Sequence, residues 1–285
     1  MEIKKVGVVG CGIMGGGIAQ ICAQSGFSVV VSEVNQALLD KGMATIAGRL
    51  GKDQEKGRIT AEQKTATLGN IKGTTDMKDF ASCDLVIEAI VEDMEAKKKL
   101  FAELDKICQP QTIIATNTSV LSVIDISTAT KRPDKCLGLH FFNPAFIMKL
   151  LEIVRTLITS DETVESCRVF AKAVGKTAVM AKDTPGFIAN RLQIAFSLNA
   201  IRMLEQGVAS REDIDAACKL GLNHPMGPLE LNDFAGNDTL LRIANDLYAR
   251  FADPAYAPPV LLQKMVAAGW YGRKTGKGFY DYTNK

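Results

Sequence analysis

Gly10, Gly12 and Gly15 stand in the run VGVVGCGIMGGGIAQ, residues 6–20, and fit the spacing G-x-G-x-x-G. A short apolar strand, Lys5 to Val9, leads into them, and a helix-like run, Met14 to Gln24, follows and stops at Gly26. In that setting Gly10 permits the tight strand-to-helix turn, Gly12 lets the backbone approach a pyrophosphate, and Gly15 lets helix and strand pack closely. The phosphates would sit on N–H groups at the helix N-terminus, where the dipole favours negative charge. Ile13 and Met14, between the second and third glycines, belong to the same dinucleotide-binding loop. A second apolar strand, Phe27–Val31, precedes Glu33. An acidic residue there is placed to bond a ribose 2′-hydroxyl, which favours NAD over NADP because a 2′-phosphate would be repelled. The alternative is a glycine-rich turn in some other α/β protein.

Oxidation of an alcohol by a nicotinamide needs a base for the hydroxyl proton, and histidine titrates near neutrality. The chain has two histidines. His140 ends a strand-like run, where open α/β sheets place their ligands. His224 lies in a Pro/Gly-rich turn, Asn223 to Pro228, so His140 is the better base. A base of this kind wants a partner that orients its ring. Glu152 sits in the apolar run KLLEIV, where a lone carboxylate is costly unless paired. That supports a His140–Glu152 pair; an exposed edge-strand Glu is the alternative. Ser119 closes the run TIIATNTS, and Asn190 interrupts an apolar helical stretch. Both can hydrogen-bond a substrate oxygen, with helix capping (Ser119) and simple tolerance (Asn190) as the other readings.

The elements that must position these residues read as an α/β protein, a Rossmann-type doubly wound sheet followed by a C-terminal all-helical domain. Strand-like runs at 84–90, 112–116, 136–142, 150–154 and 177–181 alternate with helical stretches such as 94–107 and 163–174. The segment 36–70 breaks the alternation with two helical runs, roughly 36–51 and 60–68. It is basic (Lys41, Arg49, Lys52, Lys56, Arg58, Lys64) and reads either as a solvated helical arm or as one that meets a phosphorylated ligand. Composition shifts at Asp183-Thr184-Pro185-Gly186. Thr184 suits a helix cap and Pro185 its first position, so a long apolar helix is expected from there to Gln206. Further helices are expected over 211–221, 237–251 and 259–268. Domains of 1–183 and 184–285 follow, and the apolar circumference of the long helix suggests a homodimer.

At 285 residues, 47% hydrophobic and 23% charged, the chain suits one large or two medium domains. A net charge of +2 gives no field for nucleic acid or a membrane surface. The first strand starts within a few residues of Met1, no apolar run has spanning length, and a cytoplasmic location is expected. Seven cysteines without C-x-x-C spacing read as buried thiols in a reducing compartment, with no disulfide framework and no metal site. Cys11 alone stands at a helix N-terminus, which lowers a thiol pKa; a tolerated loop residue is the plainer reading.

Taken together, Gly10–Gln20, Asn117-Thr-Ser119, His140-Phe-Phe-Asn-Pro144, Lys149-Leu-Leu-Glu152, Thr184–Arg191, His224–Glu230 and Gly272–Tyr280 resemble the 3-hydroxyacyl-CoA dehydrogenase family, and most of all its bacterial 3-hydroxybutyryl-CoA members. The resemblance runs through essentially the whole chain, in order. It implies reversible oxidation of a short-chain 3-hydroxyacyl-CoA with NAD. His140 would be base or acid, Glu152 its orienting partner, and Ser119 and Asn190 would hold the C3 oxygen and the thioester. Glu92, Lys97, Asn143 and Lys274 match NAD-contacting positions, with Ser119 counted among them, and Lys52 and Lys56 match lysines that meet the CoA. Many relatives carry Asp where this chain has Glu33. A non-catalytic NAD-binding relative, structural or redox-sensing, and a dehydrogenase of free hydroxy acids are the rival readings.

Overall fold

The computed structural model describes residues 1–283, and the chain divides into two compact units, Met1–Phe187 and Ile188–Lys285. The first unit is built on one sheet. Its strands are β1 (Lys5–Val9), β2 (Ser28–Ser32), β3 (Ile71–Thr74), β4 (Leu85–Glu88), β5 (Ile113–Thr116), β6 (Cys136–Phe141), β7 (Leu150–Arg155) and β8 (Thr177–Lys182). Their order is β3-β2-β1-β4-β5-β6-β7-β8. The chain reverses its direction of growth between β1 and β4, which makes the crevice outside those two strands the place for a ligand. Strands β1, β4 and β5 are buried along nearly their whole length, which is why they read in the sequence as continuous apolar runs.

The helices of this unit are α1 (Ile13–Gln24), α2 (Gln36–Glu55), α3 (Ala61–Gly69), α4 (Met94–Ile107), α5 (Val123–Ser127) and α6 (Asp161–Ala173). Local chemistry starts most of them. Asn35, Asp93 and Ser160 each accept an amide of the first turn of α2, α4 and α6, and Thr60 and Gln63 form a capping box on α3. Helix α1 differs, because its N-cap is Gly12 and no side chain among the described residues caps it. Two apolar layers cover the sheet, one including Ile18, Leu39, Ile46 and Phe170, the other including Phe80, Phe101, Leu104 and Ile126.

One pairing departs from an all-parallel reading. Strand β7 runs antiparallel to β6, while every other neighbouring pair is parallel. The connection explains it. Only residues 142–149 separate Phe141 from Leu150, and a parallel crossover needs a dozen or more residues. The antiparallel register sets His140 directly opposite Glu152.

The second unit is helical: α7 (Ala189–Glu205), α8 (Arg211–Gly221), α9 (Pro228–Ala235), α10 (Asn237–Phe251) and α11 (Val260–Ala267). Helix α7 starts four residues later than the Thr184–Pro185 signal predicts, at Ala189 where Pro185 is expected. Gly186 and Phe187 both take positive φ, 74° and 47°, so the backbone cannot run helically through them. Phe187 instead packs into the first unit with Val123, Val154 and Ala181. Helix α9, absent from the sequence reading, is capped by buried Asp215, which accepts the amides of Leu229 and Glu230 at 2.8 and 3.0 Å.

Candidate active site

The glycine loop is built as its spacing requires. Gly10 has φ 97°, and a Cβ there would lie 2.6 Å from the Ala89 carbonyl. A Cβ on Gly15 would lie 1.8 Å from the Gly10 carbonyl, so only glycine lets α1 come this close to β1. At Gly12 the opposite holds: nothing among the described residues stands within 4 Å of the Cβ position. Open space meets the uncapped N-terminus of α1 at that point, the arrangement that receives a phosphate. Ile13 is 74% exposed beside it, and Met14 is half-buried.

Glu33 follows β2 and closes one side of this loop, its carboxylate accepting the Cys11 amide at 2.7 Å. With Gly12, Ile13, Leu38, Lys41 and Arg49 it lines a cavity of about 250 Å³. Arg49 Nη1 is buried there without a hydrogen-bond partner among the described residues, a donor suited to an anion. The uncapped helix, the open Gly12 and the acidic Glu33 together fit a dinucleotide with a free ribose 2′-hydroxyl. The Cys11 thiol is not depressed by its place at the helix N-terminus, which leaves the plainer reading of a tolerated loop residue. Burial and then the Glu33 carboxylate push it up to about 11, against the smaller influence of Arg49.

His140 and Glu152 meet as the strand register dictates. Nδ1 of His140 is 2.7 Å from Oε2 of Glu152, with the side chains 7% and 0% exposed. An ionised carboxylate only accepts, so it holds the proton on Nδ1 and leaves the Nε2 lone pair as the basic site. The imidazole is flanked by the rings of Phe142 (centroids 4.4 Å apart) and Phe187 (5.6 Å). Asn117, at the end of β5, accepts the Phe141 amide at 2.9 Å and ties the two strand ends together. His224 is exposed and leans on Phe196, away from any such carboxylate pair.

Ser119 lies just beyond β5. Its amide donates to Glu92 Oε1 at 2.9 Å and its hydroxyl approaches the same oxygen at 3.4 Å. Glu92 also accepts the Thr118 hydroxyl at 2.6 Å and pairs with Lys97 at 3.2 Å. Burial would raise this carboxyl, but Lys97, Thr118 and the Ser119 amide outweigh it and hold it below its usual range. Lys97 is buried and also bonds Glu88 at 2.5 Å.

The same architecture is found in proteins of known family. Residues 5–184 match the NAD binding domain of 3-hydroxyacyl-CoA dehydrogenase and residues 186–282 match its C-terminal domain. The chain belongs to the 3-hydroxyacyl-CoA dehydrogenase family. It is 49% identical over 278 residues to a Deinococcus radiodurans protein described as a probable 3-hydroxybutyryl-CoA dehydrogenase, covering 98% of this chain and 100% of the relative. It is 47% identical over 280 residues to the 3-hydroxybutyryl-CoA dehydrogenase of Bradyrhizobium diazoefficiens, covering 98% and 96%. The solved structure of (S)-3-hydroxybutyryl-CoA dehydrogenase PaaH1 from Ralstonia eutropha superposes with a TM-score of 0.97 at 43% identity, over 99% and 100% of the two chains. The chain is thus an NAD-dependent dehydrogenase of this family, and the non-catalytic reading loses its support.

The other positions expected of a 3-hydroxyacyl-CoA dehydrogenase fall as follows. Asn143 is exposed, three residues past His140. Lys52 and Lys56 are both exposed at the C-terminal end of α2, in its last turn and at its C-cap. In the second unit, Asn190 lies in the first turn of α7. Lys274 pairs with Asp238 at 2.5 Å. Its segment is held by buried Asp233, which accepts the amides of Phe279 and Tyr280 at 2.9 and 2.8 Å. Glu88 is a buried residue of the site that the sequence analysis does not single out; its one signal in the sequence is a carboxylate inside the apolar run 84–90.

Proposed function

We propose that the chain catalyses the reversible oxidation of short-chain 3-hydroxyacyl-CoA, with 3-hydroxybutyryl-CoA and acetoacetyl-CoA as the principal pair. The observation that carries this reading is the buried 2.7 Å His140–Glu152 contact at the sheet end. In oxidation Nε2 of His140 takes the C3 hydroxyl proton, and Glu152 offsets the charge that the ring gains. Bound NAD supplies the acceptor for the C3 hydrogen and its electron pair. In reduction the imidazolium returns the proton to the C3 oxygen. Ser119 and Asn190 act as donors to the substrate oxygens, where charge develops in the transition state.

Gly10, Gly12, Ile13, Met14 and Gly15 hold the pyrophosphate of the cofactor, Glu33 its adenosine ribose, and Glu92, Lys97, Asn143 and Lys274 the rest. Lys52 and Lys56 meet the CoA phosphates. Residues 1–183 thus carry all of these cofactor contacts except that of Lys274, and residues 184–285 serve substrate binding and dimerisation. Exposed Leu192 and Ile188 at the start of α7 support a homodimer, checked by sedimentation. Seven buried, unbridged cysteines suit the cytoplasm.

The test is a matrix of kcat/KM over acyl-CoA chain length, free acetoacetate, NADH and NADPH. The reading expects a maximum at acetoacetyl-CoA with NADH. A free acid reduced as well as its CoA ester would contradict it.

A further inference from the structure

Five residues close a ring of hydrogen bonds and ion pairs beside Ser119, one link of it through the Thr118 backbone amide. Glu88, the last residue of β4, accepts Lys97 Nζ at 2.5 Å through Oε1 and the Thr116 hydroxyl at 2.7 Å through Oε2. Thr116 accepts the Thr118 amide at 3.2 Å, and the Thr118 hydroxyl donates to Glu92 at 2.6 Å. Glu92 returns to Lys97 at 3.2 Å. Glu88 and Thr116 are fully buried, and Lys97 and Thr118 are 1% exposed.

A ring of two carboxylates and one ammonium is a poor way to stabilise a core. Each ion loses its hydration, and apolar residues of similar volume often do as well or better. What a fully connected network does supply is a single geometry. Here that geometry ends on Ser119, because Glu92 holds its amide and Thr118 precedes it in the chain. Two routes leave Glu88 for this turn, one through Lys97 and Glu92, the other through the Thr116 hydroxyl.

We propose that Glu88 and Thr116 are positioning residues for the dehydrogenase reaction: through the ring they fix Thr118 and Glu92, and so hold Ser119 where it meets the substrate oxygen. This rests on the role proposed above for Ser119. Neither residue touches the substrate; both act on the turn that does.

The experiment compares Thr116→Val, which keeps the side-chain volume and removes the hydroxyl, with Thr116→Ser, which keeps the hydroxyl and removes a methyl. Turnover of acetoacetyl-CoA with NADH is read beside the NADH dissociation constant from fluorescence titration. Thr116→Val is expected to lower kcat at saturating NADH on the order of tenfold or more, because small misplacements at a reacting centre cost rate, with a smaller change in the NADH constant, since Glu92 and Lys97 of the same ring also meet the cofactor. Thr116→Ser is expected to keep most of the wild-type kcat. A Thr116→Val enzyme with wild-type kcat, or a Thr116→Ser enzyme as impaired as Thr116→Val, would overturn the proposal. If Thr116→Val does not fold, Glu88→Gln carries the same expectation and the same refutation. Ser119→Ala separates the two ideas. Full turnover in that variant refutes the role of Ser119 and the ring's purpose with it. An impaired Ser119→Ala beside an unimpaired Thr116→Val refutes the ring alone.

Discussion

Replacing Glu152 by Gln changes one charge and almost no volume. The carboxylate is fully buried, lies opposite His140 in the strand register and stands 2.7 Å from Nδ1. A hydrogen bond to a charged group contributes about 1.5–3 kcal/mol and a neutral one about 0.5–1.5. Gln therefore forfeits about 1–2 kcal/mol where the imidazolium forms, a loss of roughly 5- to 30-fold in kcat at about 1.4 kcal/mol per decade. That figure assumes the amide presents its oxygen to Nδ1. If it presents nitrogen, the proton moves to Nε2 and the base is lost, so the loss is larger. The assay is kcat in both directions, with thermal melting to show that the variant is folded. A folded Glu152→Gln enzyme with kcat within twofold of wild type in both directions would refute the pairing argument.

Gly15→Ala places a methyl within van der Waals overlap of the Gly10 carbonyl; overpacking of this kind costs about 1–3 kcal/mol, and NADH titration should show binding weakened at least as far as stability. Glu92 ties acid stability to the site. Its folded value is depressed, so its contribution is present above the unfolded value of about 4.3 and is lost as pH falls through the lower folded one. Denaturant midpoints followed down through that window should fall more steeply for wild type than for Glu92→Gln. Cys11, buried and pushed up to about 11, should resist alkylation at neutral pH in the folded enzyme; rapid labelling at Cys11, mapped by mass spectrometry, would contradict the burial argument.

Much of the first unit could be read from the chain because its signals are local. The glycines carry their own geometry, Met94–Ile107 is bounded by the Asp93 cap and an apolar stripe, and β4 announces itself as an unbroken buried run. Strand direction is different. The apolar run that marks Leu150–Arg155 says nothing about whether it runs up or down, and only the short 142–149 connection forces the antiparallel pairing that aligns Glu152 with His140. Thr184 and Pro185 carry a helix-start signal that long-range packing overrides, since Phe187 is drawn into the core beside His140 through a left-handed turn. Of the Glu88–Lys97 pair the sequence shows only a carboxylate inside an apolar run, not the partner it meets. Its partners come from β4, α4 and β5, and nothing in the local spacing shows that a Lys on an amphipathic helix will face inward.

The central claim is that His140 moves the proton of a CoA-linked substrate while the glycine loop independently holds the cofactor. The direct measurement is NADH consumption with acetoacetyl-CoA, for wild type and His140→Ala, beside NADH affinity for both. The account predicts consumption by wild type, a loss of at least about 10²-fold in His140→Ala, and nearly equal NADH affinity in the two proteins. Near wild-type turnover by His140→Ala, or no consumption by the wild type, would contradict it.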